Sequence, residues 1–302
     1  ISNRSHTFAI PSERYKNIFL FLEPSNITEI KLKTFPTCEV ASEEDKRCLS
    51  LFLRNFSLEE MKHIEYVGFF DEEEYNMMKF RWFSMNSNVY IVADEASLYI
   101  LKFNAWSPPN QNRKLMIHVN GFNIGEYGVT EEMKPIYLPI FLKKGLNEIL
   151  LISDSCVYVS GDNRCLGIAT SEVEIAKINV ENIGEFSDGF HEKEEAYNAY
   201  FRWMSDVVNI KIFSPIEISV KLHAKIGWTY LLERELKIML NDELLFKGTV
   251  PKNGKEILLR LNLKSGWNEI SFISNCDTPA KLESSNDNRC LSLAFTFLSF
   301  IS

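Results

Sequence analysis

The sequence predicts an all-β protein of tandem antiparallel β-sandwich (jelly-roll-like) domains, two complete and one partial. Three observations predict it. Apolar and polar residues alternate with a period of two, turn signals recur roughly every eight to twelve residues, and a block built around a cysteine pair occurs three times. Alternation is clear where Val208, Ile210 and Ile212 interleave with Val207, Asn209 and Lys211, and where Ile216, Ile218, Val220 and Leu222 interleave with Glu217, Ser219 and Lys221. Leu115-Ile117-Val119 and Leu236-Ile238-Leu240 behave alike. Such runs mark strands with one wet face. The punctuation is Asn120-Gly121, Lys144-Gly145, Asn241-Asp242, Lys252-Asn253-Gly254 and Ser265-Gly266, dipeptides suited to tight turns.

The repeat is anchored on the second cysteine of each pair. Asp45-Lys46-Arg47-Cys48-Leu49-Ser50-Leu51 recurs as Asp162-Asn163-Arg164-Cys165-Leu166-Gly167-Ile168 and as Asp287-Asn288-Arg289-Cys290-Leu291-Ser292-Leu293. Upstream lie Thr28-Glu29-Ile30, Asn147-Glu148-Ile149 and Asn268-Glu269-Ile270. Two copies extend further back. Phe80-Arg81-Trp82-Phe83-Ser84 matches Phe201-Arg202-Trp203-Met204-Ser205, and Ile117-His118-Val119-Asn120-Gly121 matches Ile238-Met239-Leu240-Asn241-Asp242. The spacing is that of domains, not of a solenoid. Residues 62–178 and 179–302 are therefore two full copies, and residues 1–61 are the back half of another.

Taken in order, strands are expected near 6–10, 17–22, 27–34 and 48–57 in the partial copy. In the first full copy they are expected near 89–93, 97–104, 113–120, 122–127, 135–142, 147–153 and 165–176. The acidic stretches near 71–78 and 192–199 suit a short turn or helix. A half-sandwich leaves Leu20, Leu22, Ile30, Leu32, Leu49, Leu51 and Leu53 uncovered, and its strand edges open. Upstream sequence or strand addition from a neighbouring molecule would complete it. The chain starts at Ile1 and reads as a processed chain or a fragment.

Composition narrows function. The 302 residues carry a net charge of −8, which disfavours nucleic acid and anionic membranes as partners. No apolar run is long enough to span a bilayer. The cysteine spacing fits neither zinc nor haem. Three local disulfides, Cys38–Cys48, Cys156–Cys165 and Cys276–Cys290, are the simplest reading, and they point to the cell exterior or to a hyperthermophile. No GxSxG, HExxH, GxGxxG or GxxxxGK[ST] motif occurs, and none of the five histidines repeats between copies. An enzyme is not expected, nor a cofactor or a metal. The acidic runs 71–74 and 192–195 read as solvated charge rather than calcium ligands.

The candidate site residues are few. Arg81 and Arg202 suit a structural ion pair with Asp162, Asp287 or the acidic runs, beside Trp82 and Trp203 in the sandwich core. Arg164 and Arg289 are alternative partners for those carboxylates. Trp106 and Trp228 fall in the longer loops 104–113 and 224–234. There an indole can stack on a sugar ring, with Asn110, Gln111 and Asn112 contacting hydroxyls, or it can cap the sandwich. Asn3, Asn26 and Asn55 head glycosylation sequons.

The order FRWMS, alternating strand, IxVNG, KxGLNEI, GDNRCLGI resembles β-sandwich modules of archaeal cell-surface proteins and of the soluble regions of membrane glycosyltransferases. Those folds are galactose-binding-like or carbohydrate-module-like. The resemblance covers both full copies and the back of the first, with Ser292 replacing the glycine of the last motif. It implies a non-catalytic part that binds or builds. Two roles are expected on this basis. One is structural assembly at the cell surface, by self-association or completion of residues 1–61. The other is glycan binding within a larger, glycosyltransferase-related membrane protein.

Overall fold

The computed structural model describes residues 39–40, 48–49, 64–196, 199–282 and 285–301. The chain divides into two compact units, Ile1–Met61 and Lys62–Ser302. In the first, Glu39–Val40 pairs antiparallel with Cys48–Leu49. The other strands expected there, their apolar face, the Cys38–Cys48 bridge and the sequons at Asn3, Asn26 and Asn55 lie outside the described residues.

Among its described residues the second unit is all-β apart from one turn of 3-10 helix and one of α-helix. It holds two β-sandwiches. In the first, one sheet runs Ile64–Phe69, Met78–Ala93, Gly145–Ser153, Arg113–Val119, Phe122–Val129, antiparallel throughout. The facing sheet pairs Lys134–Leu142 with Ser97–Trp106, and Ser97–Trp106 with Ile168–Ser171 and Glu174–Lys177. The 16-residue strand Met78–Ala93 serves both sheets, because its first half pairs with Ile168–Ser171. The second sandwich repeats the plan. Asp188–Phe190, Ala199–Ser214, Gly266–Ile273, Arg234–Leu240 and Glu243–Val250 form one sheet. Lys255–Leu263, Ile218–Thr229 and Leu293–Ile301 form the other, which closes on Arg202 and Trp203.

Alternation explains the cores. Leu115, Ile117 and Val119, and likewise Leu236 and Ile238, are completely buried, while Met116 and Lys237 stand half-exposed. Burying one such aliphatic side chain is worth about 1.5–3 kcal/mol. The expected turns form as well. Asn120 and Gly121 take φ of 50° and 85°, and Asn241 and Asp242 take 48° and 67°. This left-handed pair matches strand twist in a two-residue hairpin, although Asp242 holds a conformation that Gly121 adopts without steric cost.

Of the turn and helix expected near 71–78, the structure has the turn, at the tip of a hairpin. Glu73–Tyr75 pairs with the start of Met78–Ala93 around Asn76 and Met77, both at positive φ. Its counterpart Glu194–Ala196 pairs with the start of Ala199–Ser214. A two-residue turn flanked by side chains that pair across the hairpin outweighs the helical bias of consecutive glutamates.

The sandwiches share apolar surface. Leu98, Ile100 and Phe141 of the first pack into the second core, and Phe213 of the second packs into the first. The connector is folded too: Ile178, Val180 and Ile183 are buried in the second core. The Ser97 hydroxyl donates to the Phe300 carbonyl at 2.7 Å, and Ile301 pairs with Ser97. Among the described residues, no helix is long and apolar enough to cross a membrane.

Candidate functional site

The residues that repeat between the copies meet in three constellations. The first is an amide clasp. Asn147 is fully buried; its carbonyl oxygen accepts from the Asn120 side chain and the Lys143 backbone, and its NH2 group donates to the carbonyls of Lys143 and Gly145. Asn120 accepts in turn from the Glu148 backbone. Asn268 and Asn241 repeat each of these bonds with Lys264, Gly266 and Glu269. The clasp joins two hairpin ends, which is why NG or ND and xNEI recur at a fixed interval.

The second constellation is ionic. Arg164 donates through Nε and Nη2 to both oxygens of Asp162, at 2.6–3.1 Å, and through Nη1 to Glu73 at 2.7 Å. Arg289 binds Asp287 and Glu194 in the same way. The fork geometry is bidentate. The arginine side chains, then the arginine backbone N–H groups, hold the carboxyls of Asp162 and Asp287 down at about 2. The acidic hairpins are thus pinned to the cysteine loops. Among the described residues, no group of three His, Cys, Asp or Glu side chains could hold a metal ion.

The expected pairing of Arg81 and Arg202 with Asp162 and Asp287 is corrected here. The fork of Arg164 and of Arg289 occupies those carboxylates, two residues away in the same loop. Arg81 takes the other expected partner, the acidic run 71–74, pairing with Glu72, and lies 4.6 Å over the Tyr66 ring. Among the described residues, Arg202 forms no ion pair with a carboxylate. It is buried, and it donates to the backbone carbonyls of Val180, Glu181 and His191 at 2.6–3.0 Å. Burial lowers its pKa. Gly184 packs against this guanidinium, where a Cβ would come within 2.3 Å of Nη1.

The third constellation is aromatic. Trp82 and Trp203 are buried, but in small satellite clusters rather than in the sandwich cores. Phe83 and Met204, on the opposite strand face, take the core positions. Trp106 and Trp228 sit in the strands Ser97–Trp106 and Ile218–Thr229, not in loops. Ala169 and Ala294 pair beside them and extend the strands past the expected ends. Each indole is half-buried. Trp106 packs on Phe80 and Trp82 at 5.1 and 6.3 Å, and Trp228 packs on Phe201 and Trp203 at 4.9 and 6.3 Å. Asn110 and Asn112 are exposed in the turn after Trp106; the Asn110 backbone N–H donates to Glu131. Leu166 and Leu291, each next to a cysteine, close the two clusters. The bridges Cys156–Cys165 and Cys276–Cys290 have Cα–Cα distances of 5.3 Å.

Sequence reasoning found the repeated motifs but missed the amide clasp, the carbonyl cradle of Arg202, and Trp267. The indole of Trp267 donates to the Ile124 carbonyl across the junction at 3.0 Å. The replacement of Leu146 by Trp267 at matching places was the available signal.

No family model matches the chain, and no curated protein matches it. Among solved structures, it is similar in part to a family 35 carbohydrate binding module from an environmental isolate, with 12% identity over 38% of this chain and 87% of that one, at a TM-score of 0.26. A family 35 carbohydrate binding module from Clostridium thermocellum aligns at 8% identity over 41% of this chain and 98% of that one, at a TM-score of 0.28. A cycloalternan-forming enzyme from Listeria monocytogenes, in complex with a pentasaccharide substrate, aligns at 10% identity over 75% of this chain and 20% of that one, at 0.28.

Proposed function

We propose that this chain is a non-catalytic, architectural β-sandwich repeat protein of the cell exterior, with module boundaries at 1–61, 62–178 and 179–302. One observation carries the reading. The repeated asparagines of the amide clasp and the repeated Arg–Asp–Glu forks are spent inside their own copy. What duplication has preserved is scaffold chemistry. The two sandwiches share an apolar junction, and the disulfides suit an oxidising compartment. On this reading the partial module 1–61 is completed by preceding sequence or by a strand from a neighbouring molecule. Light scattering on the intact chain during size exclusion tests it. Concentration-dependent oligomers are the expected result. A monodisperse monomer whose 1–61 amides are protected from hydrogen exchange would remove strand exchange. Turnover of any glycoside substrate would remove the non-catalytic role.

A second reading makes the chain the carbohydrate-binding soluble region of a larger, glycosyltransferase-related membrane protein. The half-exposed indoles of Trp106 and Trp228, at matching positions of the two copies, favour it. Glycan-array binding that falls in Trp106→Ala and Trp228→Ala would support it; retention in both would sink it.

A further inference from the structure

A cleft of about 580 Å³ opens at the junction of the two sandwiches, between Tyr137 and Pro139 of the first, Phe186 of the connector, and Trp267, Lys211 and Glu269 of the second. Its volume falls within the roughly 300–1,000 Å³ of small-molecule sites, which favour such junctions. Trp267 is 45% exposed, yet it is held firmly. Its N–H donates to the Ile124 carbonyl, and its ring packs edge-on against Phe213 at 5.5 Å. An indole whose one polar atom is satisfied and whose orientation is fixed presents a preorganised apolar face.

The sandwich fold does not require this indole. Leu146 stands opposite Val92 in the first sandwich where Trp267 stands opposite Phe213 in the second, and Tyr90 stands opposite Glu148 where Lys211 stands opposite Glu269. The aromatic wall therefore belongs to the junction.

The charges select the ligand. Three rings would suit a cation, but Lys102 already lies 5.8 Å over the Tyr137 ring and Lys211 stands at the cleft. Glu269, 3.8 Å from Lys211, opposes an anion. The Lys–Glu pair has no net charge, and it offers hydroxyl groups both a donor and an acceptor. Asn241 and Asn268 line the same cleft, but their amides are engaged in the clasp and serve as wall. We propose that this cleft binds a neutral pyranose, its apolar face stacked on Trp267 and its hydroxyls bonded to Lys211 and Glu269.

This site is separate from Trp106 and Trp228 and does not depend on the architectural reading. The test is calorimetric titration and saturation-transfer NMR of the intact chain with methyl glucoside, methyl galactoside, methyl mannoside and xylobiose, with tetramethylammonium as the cationic probe. At least one sugar is expected to saturate. Its affinity is expected to fall about tenfold or more in Trp267→Leu, which installs the first sandwich's residue, and in the surface variants Lys211→Met and Glu269→Gln. The surface variants keep the test valid if Trp267→Leu loosens the junction. Absence of saturation by every sugar, tighter binding of tetramethylammonium, or sugar binding unchanged in all three variants would overturn the proposal.

Discussion

The two sandwiches share a fold and differ on one face. In the first, the outer side of the sheet Lys134–Leu142/Ser97–Trp106 carries Leu98 opposite Phe141 and Ile100 opposite Pro139; Leu98, Ile100 and Phe141 are buried in the core of the second sandwich. The same register in the second sandwich carries Ser219 opposite Asn262 and Lys221 opposite Arg260, with Lys221, Arg260 and Asn262 exposed. One sheet face is a docking surface and its counterpart is a solvated one. In repeat proteins a polar outer face ends a stack. On this face the second sandwich therefore lacks the apolar surface on which the first docks it. The inward residues at neighbouring positions, Leu101 and Leu222, are apolar in both, so the fold tolerates either outer face.

Placing charge on the docking face should give the largest effect. Ile100→Lys, which copies Lys221, buries an unpaired ammonium and should cost about 3–5 kcal/mol. It should also split thermal unfolding in calorimetry into two transitions as the sandwiches uncouple. The reciprocal Lys221→Ile should change stability by no more than about 0.5 kcal/mol. A single transition in Ile100→Lys would mean that the junction is not what couples the two.

The paired arginines sharpen the same contrast. Arg202→Met strands three backbone carbonyls and should cost about 3 kcal/mol, measured by urea denaturation. Arg81→Met loses a partly exposed, solvent-screened pair with Glu72 and should cost much less. Equal effects would show that the carbonyl cradle contributes nothing beyond packing. The FRW motif thus holds one sandwich to its connector, while in the other it joins strand to hairpin.

A smaller effect is expected at the turns. Asp242→Gly should stabilise by about 0.5–1 kcal/mol, because glycine accepts the 67° φ, and Gly121→Asp should destabilise by a similar amount. The melting temperatures of the two variants should move in opposite directions.

The pH dependence should be the least different between the copies, because Asp162 and Asp287 make the same fork. Both carboxyls lie at about 2 in the folded chain, below their unfolded value near 4. Their contribution is therefore complete above about pH 4 and is lost as pH falls through about 2. Asp162→Asn and Asp287→Asn should each flatten the acid limb of the stability curve, and to a similar degree. A steep acid limb that survives in the double variant would place the titration elsewhere.

Much of this was legible along the chain. Strand positions such as Arg113–Val119 and Lys134–Leu142 followed from alternation that a one-residue slip would invert, whereas Met78–Ala93 was expected only from residue 89. The hairpin ends followed from Asn-Gly and Asn-Asp, whose backbone preferences are local. The bridges Cys156–Cys165 and Cys276–Cys290 followed from cysteines close in sequence. The rest depended on surfaces that meet only after folding. Nothing near Arg202 in sequence announces that Val180, Glu181 and His191 will turn their carbonyls toward it. Nothing near Trp106 indicates that Phe80 and Trp82 will pack on its ring and draw it into a strand.

The sequence by itself determined the all-β class, the turns and the duplication, because each rests on periods and propensities within a few residues. Only the tertiary structure decided that Ile100 is buried while Lys221 is wet, and that Trp267 faces a cleft. Both outcomes depend on which sheet face the neighbouring sandwich covers, and that covering joins residues more than 100 positions apart, as Ser97 and Phe300 are. A local pattern can state that a face is apolar; it takes the packed neighbour to state what the face is for.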